Sequence, residues 1–298
     1  MASNEKKIGH TNKGKLIICP TPLGNLGDIT KRTLEAFSQC DVVCCEDTRV
    51  TGKLLSVLGI KKSLERLDEA TLSSKAEYIA QRVLSGEIIA YASDAGMPGV
   101  SDPGQRLVDA ALEVGAVVEV LPGPTALTTA YVASGFSAQS FYFGAFFPRK
   151  EGERKRLLSQ LKSLDAVLIF YESPLRLVSA LCALKELVPY RHVAVCRELT
   201  KIHEEVVRGT IDEVLRVFAD REKQEGIKGE IVLVIEAPNE QELRADKTSA
   251  LLSAEERVSD LLNSGQYSKK DIVRILKDDF GLTRNDAYEL VHHKGQIP

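Results

Sequence analysis

Residues 88–104 constrain the fold of this chain more than any other stretch. The first five, Ile-Ile-Ala-Tyr-Ala, have the apolar composition of a buried strand, and the run ends abruptly in Ser-Asp-Ala-Gly. Two turns with proline and glycine follow before an amphipathic helix pattern starts near Gln105. In open α/β sheets, ligands bind outside the carboxyl ends of strands. The segment therefore predicts a binding loop, in which Asp94 either contacts a ligand or caps a turn or helix.

Two further segments of the same kind lie on either side of this loop. The apolar run 16–19 leads into Pro-Thr-Pro-Leu-Gly-Asn-Leu-Gly-Asp, and the run 117–121 leads into Pro-Gly-Pro-Thr-Ala. A helix pattern follows each of them, and strands separated by single helices pair in parallel through right-handed crossovers. Three strand ends that open into Pro/Gly loops predict a parallel sheet with a site at one edge.

Composition places the chain among ordinary globular proteins. Its 298 residues are enough for two compact domains and a small appendage. No apolar run approaches the roughly 20 residues that cross a bilayer, and the polar N-terminal segment lacks the apolar stretch of a signal peptide. None of the 6 cysteines has Cys-x-x-Cys spacing or a His pair beside it, which argues against structural zinc. We therefore predict a cytoplasmic protein with reduced thiols, no membrane segment and no metal.

The pattern of strands and helices predicts three units along the chain. Strands and helices alternate over residues 14–124, the predicted N-terminal α/β domain, and the pattern changes near residue 125. Residues 125–237 are predicted as a second α/β domain with a mixed sheet, whose strand patterns lie at 141–143, 167–172, 193–198, 204–208 and 231–236. The pair 193–198 and 204–208 is close enough in sequence to form a hairpin. Residues 238–250 have the composition of a polar linker, and three helix patterns predict a small helical domain over 251–298.

The amino-acid sequences of these loops resemble those of a known family. They resemble those of the tetrapyrrole-methylase superfamily of S-adenosylmethionine-dependent methyltransferases, and in particular its branch that 2'-O-methylates a cytidine in the decoding region of small-subunit rRNA. The first matching blocks are Pro-Thr-Pro-Leu-Gly-Asn-Leu-Gly-Asp-Ile-Thr, Ser-Asp-Ala-Gly-Met-Pro and Ser-Asp-Pro-Gly. Later blocks follow in the expected order, namely Phe-Gly-Ala-Phe-Phe-Pro-Arg-Lys, Phe-Tyr-Glu-Ser-Pro-Leu-Arg, Arg-Glu-Leu-Thr-Lys and Lys-Gly-Glu-Ile-Val-Leu. Met97 is a departure, because the family more often has Thr there, and the methionine side chain has no hydroxyl group to contact a ligand.

The resemblance implies two α/β domains with the cofactor held in the cleft between them, a small C-terminal helix-turn-helix-like domain, and a homodimer. It also carries over the contacts to S-adenosylmethionine, which are Pro20, Asp94, Gly96, Val100, Thr125 and Ala126, with Ile231 near the adenine. This cofactor has no phosphates. In agreement, the chain has no Gly-x-x-x-x-Gly-Lys-[Ser/Thr] loop, and Gly24 and Gly27 lack the companion glycine of Gly-x-Gly-x-x-Gly.

Methyl transfer to a ribose hydroxyl needs a group that takes up the hydroxyl proton. Glu172 is the first candidate because it ends an apolar strand and precedes a Ser-Pro break. Lys201 and Glu230, each beside a predicted strand terminus, are the next candidates. Positioning supplies much of the remaining catalysis, because the nucleophile must be aligned with the methyl group and the departing sulfur.

A net charge of −3 means that binding of RNA requires a local basic surface. Residues 149–156 hold five cations against two carboxylates. They predict either an arm that contacts phosphate through Arg149, Lys150 and Arg154, or a solvated helix start with mixed ion pairs. Arg176 and Arg197 are further candidates for phosphate contacts. Each of these two can instead form an internal ion pair, such as Arg197 with Glu172.

The predicted partner is small-subunit rRNA, either naked or in the assembled 30S subunit. One alternative is a C-methyltransferase acting on a tetrapyrrole or another small molecule, which would share the cofactor loops. Another is a nucleic-acid-binding regulator that uses the C-terminal helices, although this leaves the three strand-end loops unexplained. Those helices either contact RNA or pack on the main body or on a dimer mate.

Overall fold

The computed structural model describes residues 14–294, and its first half is built on a parallel sheet. The strands are β1 (Lys15–Ile18), β2 (Val42–Cys45), β3 (Ser63–Arg66), β4 (Ile88–Ala92) and β5 (Val117–Val120). Their order is β3-β2-β4-β1-β5, and every neighbouring pair is parallel. The connecting helices are α1 (Lys31–Gln39), α2 (Thr48–Val57), α3 (Glu69–Leu84) and α4 (Gln105–Glu113). The parallel sheet predicted from the sequence is confirmed.

The edge strand β3 was not predicted from the sequence. Its residues Ser-Leu-Glu-Arg have exposed ends and only partly buried central positions. An edge strand is covered on fewer sides than a central one, so its sequence shows no continuous apolar run. Pairing with β2, from Val42↔Ser63 to Cys45↔Arg66, makes this segment a strand.

Capping side chains fix where the first helices begin. Thr30 accepts a hydrogen bond from the amide of Thr33 at the start of α1, and Asp47 accepts one from the amide of Arg49 at the start of α2. Such caps contribute about 1 kcal/mol each. The amide of Asp47 also donates to Asp94 Oδ1 at 3.2 Å. This bond joins the carboxyl ends of β2 and β4, so the residues that follow the two strands lie next to each other.

The second sheet is mixed, as predicted. Its strands are β6 (Phe141–Phe146), β7 (Val167–Glu172), β8 (His192–Arg197), β9 (Glu205–Thr210) and β10 (Ile231–Ile235), in the order β6-β7-β10-β8-β9. β6 and β7 are parallel, and the other neighbours are antiparallel. The predicted hairpin of β8 and β9 is confirmed. The helices are α5 (Ala126–Ser134), α6 (Glu151–Leu161), α7 (Leu177–Leu187) and α8 (Ile211–Gln224).

The two faces of the second sheet are covered by different helices. One face packs against α6, α7 and α8, in a core that includes Phe170, Leu181 and Phe218. The other face packs against α5, where Ala130 is fully buried. Because α5 follows the last strand of the first sheet directly, this packing joins the two sheets.

The C-terminal segment forms α9 (Glu240–Ser264), α10 (Lys269–Phe280) and α11 (Arg284–Lys294) around a separate apolar cluster. The prediction of a polar linker over 238–250 is wrong, because α9 begins at residue 240. Asn239 accepts a hydrogen bond from the amide of Glu242, which caps the helix, and Glu242 pairs with the buried Arg191. The predicted start of the helical domain at residue 251 therefore falls inside α9, and the three domain boundaries stay predictions.

No helix within residues 14–294 has the length and apolar character needed to cross a membrane. Residues 1–13 of the polar N-terminal segment and the last four residues of the predicted helical domain lie outside the described residues.

Candidate active site

A cavity of about 380 Å³ lies where the carboxyl ends of the first sheet face the second sheet. The loops that follow β1, β2, β4 and β5 line it on one side. The carboxyl ends of β6, β7 and β8 and the amino end of β10 line it on the other. This is the edge of the parallel sheet at which the sequence predicted a site, and it is the position that open α/β sheets use for ligands.

Six of the seven predicted cofactor contacts line this cavity, namely Asp94, Gly96, Val100, Thr125, Ala126 and Ile231. Pro20 is not among the lining residues. It packs behind the loop after β5, where a Cβ added to Gly123 would lie 2.6 Å from the Cβ of Pro20. Met97, the departure from the family pattern, also lines the cavity.

A short bridge holds the loops after β1 and β4 together. The amide of Thr21 donates to the carbonyl of Gly96 at 2.9 Å, and the amide of Gly96 donates to the carbonyl of Thr21 at 3.0 Å. Gly96 has φ +81°, a left-handed backbone conformation in which other residues are strained. The glycine is therefore required by the backbone that joins the two loops.

Five carboxylates line the cavity, and no Lys or Arg is among the described residues that line it. Burial raises the pKa of Glu46 and Asp94, and burial together with the nearby Glu46 raises the pKa of Asp102 to about 7. Glu172 and Glu230 complete the set. Such a lining favours a cationic ligand, because a positive charge relieves the repulsion between the carboxylates.

Glu46 and Asp102 were not predicted as site residues from the sequence. Glu46 comes directly after the apolar strand β2, and Asp102 lies in the Ser-Asp-Pro-Gly turn. Both positions carried the signal that had identified Asp94, a carboxylate just beyond a buried strand or within a Pro/Gly loop. The adjacency of β2 and β4 in the sheet brings them together with Asp94.

Glu172 has a buried side chain at the cavity wall. Its Oε1 accepts a hydrogen bond from the amide of Ser173 at 2.6 Å and pairs with Arg176, while Oε2 is buried without a hydrogen-bond partner. Burial raises the pKa of this carboxyl, although the bond from Ser173 and the charge of Arg176 oppose the shift. Of the three predicted catalytic residues, Glu172 is the one with a buried carboxylate oxygen that lacks a hydrogen-bond partner.

Lys201 does not fit the predicted role of proton acceptor, because a lysine accepts a proton only as a neutral amine. Its ammonium group pairs with Glu198 at 2.9 Å and with Glu230 at 3.1 Å. Burial alone would lower the pKa of Lys201, but the hydrogen bonds and charges of the two glutamates outweigh it and the pKa is raised. The ammonium therefore keeps its proton at neutral pH. The stem of Lys201 packs on Gly24, and the amide of Asn25 donates to Thr200 Oγ1 at 3.2 Å, so this loop ties the two sheets together beside the cavity.

The basic stretch at the start of α6 divides into two kinds of residue. Arg149 and Lys150 are exposed, and Lys150 pairs with Glu153 across one helical turn at 3.2 Å. Arg154 is buried, and the prediction that it contacts phosphate is wrong. Its guanidinium donates to the carbonyl of Pro148 at 2.7 Å and to Ser179 Oγ at 3.0 Å, so it holds α6 against α7.

The two remaining predicted phosphate contacts are both engaged in ion pairs. Arg176 pairs with Glu172, and its Nη1 is buried without a partner. Arg197 pairs with Glu205 at 3.0 Å across the β8–β9 hairpin. The suggested pair of Arg197 with Glu172 is therefore wrong, because Glu172 is matched by the arginine four residues later in its own segment.

Within residues 14–294, no group of three or more His, Cys, Asp and Glu side chains is placed to hold a metal ion.

Comparison with known proteins identifies the family to which this chain belongs. The family model of the tetrapyrrole (corrin/porphyrin) methylases matches residues 15–215. Ribosomal RNA small subunit methyltransferase I of Bacillus subtilis (strain 168) is 38% identical over 287 residues, covering 96% of this chain and 97% of that protein. The protein of the same name from Thermotoga maritima is 42% identical over 222 residues, covering 74% of this chain and 98% of its own length.

Solved structures support the fold. A crystal structure of diphthine synthase superimposes with a TM-score of 0.60 at 15% identity, covering 74% of this chain and 90% of that one. A cobalt precorrin-4 methyltransferase superimposes with a TM-score of 0.55 at 18% identity, covering 74% and 94%. At these identities the likeness shows the two-domain fold alone. The family model and the curated relatives together show that the chain belongs to the tetrapyrrole methylase family, in the group of the ribosomal RNA small subunit methyltransferase I proteins.

Proposed function

We propose that this protein transfers a methyl group from S-adenosylmethionine to small-subunit rRNA, at the 2'-hydroxyl of a cytidine in the decoding region. The observation that carries the proposal is the cavity at the carboxyl ends of the parallel sheet, which five carboxylates and no Lys or Arg line among residues 14–294. The relatives that match almost the whole chain are named as small-subunit rRNA methyltransferases, which supports the choice of substrate.

The residues present fit S-adenosylmethionine. This cofactor carries a sulfonium and an ammonium group, and the acidic lining suits both positive charges. Thr125 Oγ1 at the cavity wall is buried without a hydrogen-bond partner, so it is free to contact a polar group of a ligand. We propose Asp94, Gly96, Val100, Thr125, Ala126 and Ile231 as the residues that hold the cofactor. When bound, it would supply an electrophilic methyl group.

We propose Glu172 as the residue that takes up the proton of the ribose hydroxyl. A general base has to present an unused acceptor atom to the proton that it removes. Glu172 Oε2 has no partner, while Oε1 is fixed by Ser173 and Arg176. The raised pKa of Glu172 makes it a stronger base than an ordinary glutamate. Arg176 would hold the carboxylate in position.

The alternative substrate is a tetrapyrrole or another small molecule. The solved structures that share the fold include uroporphyrin-III C-methyltransferase of Thermus thermophilus, at 19% identity and a TM-score of 0.51. Three separate incubations test the choice of substrate. Each contains the protein and labelled S-adenosylmethionine, together with 30S subunits, naked small-subunit rRNA or uroporphyrinogen. Label in RNA at a ribose 2'-oxygen is the expected result. Label only in uroporphyrinogen would refute the proposal.

The exposed pair Arg149 and Lys150 is proposed to contact RNA phosphate. Replacing both with alanine should weaken RNA binding and reduce the slope of log K against log[salt] by about two, since each lost phosphate contact removes about one released counterion. Affinity for S-adenosylmethionine should not change, because neither residue lines the cavity.

The salt dependence of the double variant needs a matched control. Arg216 and Lys223 on α8 are equally exposed and do not line the cavity. Replacing both with alanine changes the net charge by the same amount. The slope of log K for RNA against log[salt] should stay unchanged in this control. An unchanged slope in the variant that lacks Arg149 and Lys150 would show that the start of α6 is only a solvated helix end.

We also propose a homodimer and a cytoplasmic location. Exposed apolar residues on the outer strand β5 and on α5, among them Val117, Val120 and Val132, offer surface for a second copy of the chain. Light scattering should give twice the mass of the chain, 32.7 kDa, at micromolar concentration. A monomer mass throughout that range would contradict the dimer.

A further inference from the structure

The last residue of β6, Phe146, lies at the cavity because of an irregularity in its strand. β6 pairs in register with β7 up to Phe143↔Ile169, and pairing resumes at Phe146↔Tyr171. One extra residue on β6 is accommodated there as a β-bulge, and Ala145 adopts φ +54°. A positive φ is uncommon at a residue other than glycine, and it marks a locally constrained backbone.

The bulge decides which face of the sheet each aromatic side chain occupies. The rings of Phe143 and Phe146 both contact the ring of Tyr171, with centroids 5.0 and 5.7 Å away. In a regular strand, residues three positions apart lie on opposite faces. The extra residue therefore moves Phe146 to the face of Tyr171, while Phe147 turns into the core and packs on Phe170 at 5.2 Å.

Phe146 lines the rim of the cavity. Its surface is 56% exposed, whereas Cys196, Ile231 and Val232, which line the same cavity, are almost fully buried. The edge of the ring is held against Tyr171 at an interplanar angle of 74°. A small cofactor is enclosed by the buried part of the cavity, while a polymeric substrate has to arrive at the rim.

We propose that Phe146 is a stacking platform for an unstacked nucleobase of the RNA substrate, at the nucleotide that receives the methyl group. This inference rests on the proposed function and adds a binding residue for the base. Proteins that act on single nucleotides in RNA or read them commonly stack the splayed base on an aromatic side chain. Stacking tolerates any base, so Phe146 positions the nucleotide and leaves base identity to other contacts.

The test compares variants of the full chain at this position with a control on the same strand. Phe146→Ala and Phe146→Leu remove the ring, and Phe146→Trp keeps an aromatic face. Phe141→Ala is the control, because Phe141 is also exposed on β6 but packs on Tyr131 and does not line the cavity. The measurements are the KM for small-subunit rRNA or 30S subunits in methyl transfer, the Kd for S-adenosylmethionine by calorimetry, and the mass in solution.

The alanine and leucine variants should raise the KM for RNA by about tenfold, the size expected from loss of one stacked base. The tryptophan variant should restore the KM, and the control should match the unmodified chain. The Kd for S-adenosylmethionine and the mass of the protein in solution should stay the same in all four variants.

Each other outcome overturns the inference in a distinct way. An equal loss of cofactor affinity would assign Phe146 to the adenine instead of the substrate. A change of mass would make the ring part of a contact between subunits, and full activity of Phe146→Leu would show that apolar area alone is needed. Failure of the unmodified chain to methylate either RNA would refute the proposed function and this inference with it, whereas an unaffected KM in Phe146→Ala refutes the inference alone.

Discussion

Glu172→Gln should reduce methyl transfer by about 10²–10⁴-fold while binding of S-adenosylmethionine and RNA stays within a few-fold, because general base catalysis commonly contributes a factor of this size. The substitution keeps the shape of the side chain and removes its basic oxygen. Single-turnover rates with labelled cofactor measure the effect. In the unmodified chain the rate should fall as the pH drops through the raised pKa of Glu172, because protonation removes the base. This fall should begin at a higher pH than for an ordinary glutamate.

Two other variants separate catalysis from structure. Glu230→Gln changes a carboxylate that lines the same cavity but is 72% exposed and paired with Lys201, so its turnover should change little. Arg176→Met removes the partner of Glu172 and leaves the carboxylate in place. If Arg176→Met matches Glu172→Gln in both rate and pH profile, then Glu172 acts only by holding Arg176. Turnover of Glu172→Gln near that of the unmodified chain would exclude Glu172 as the base.

Glu242→Ala should lower the free energy of unfolding by about 3–5 kcal/mol, the cost of leaving a buried charge without its partner. The guanidinium of Arg191 is fully buried and donates to Glu242 at 2.8, 2.9 and 3.1 Å. It also donates to the carbonyl of Lys162 at 2.6 Å, but one carbonyl does not neutralise the charge. Denaturant titration followed by circular dichroism measures the change.

Matched variants identify the cause of this loss. The pair of Lys185 and Asp212, with nitrogen and oxygen 2.6 Å apart, has both side chains more than half exposed. Asp212→Ala should therefore cost less than about 1 kcal/mol. Replacing both buried partners, as Arg191→Met with Glu242→Leu, should recover most of the stability, because no unpaired charge remains. A small effect of Glu242→Ala would mean that α9 does not depend on this contact for its docking.

The parallel half of the molecule follows closely from local sequence. β1, β2 and β4 are short apolar runs because both of their faces are covered, and the loops after them begin where the apolar run stops. In a parallel sheet all strands run in the same direction, so their carboxyl ends lie at the same edge. The position of the loops after them therefore follows without knowledge of the order of the strands. The position of the cavity could therefore be predicted, and the family resemblance supplied five of its lining residues on this side, Asp94, Gly96, Val100, Thr125 and Ala126, whereas the polar edge strand β3 could not be predicted.

The second half depended on long-range pairing. β10 lies between β7 and β8, although some 33 residues separate it from the end of β8. This insertion places Ile231 opposite both Glu172 and Arg197, and no local pattern indicates it. The bulge that places Phe146 at the cavity arises in the same way, from the mismatch of two paired strands.

By itself the sequence determined the strand-end loops, the family and the carboxylate at the end of β7, because each of these is a property of a few adjacent residues. Only the tertiary structure decided which charges are neutralised. Arg154 was as basic as Arg149 in the sequence, but one guanidinium is buried against carbonyl oxygens and the other is exposed to solvent. Burial and partner choice depend on residues far apart in the chain, and these determine the pKa of Lys201, which pairs with Glu230, and the docking of α9, whose Glu242 pairs with Arg191.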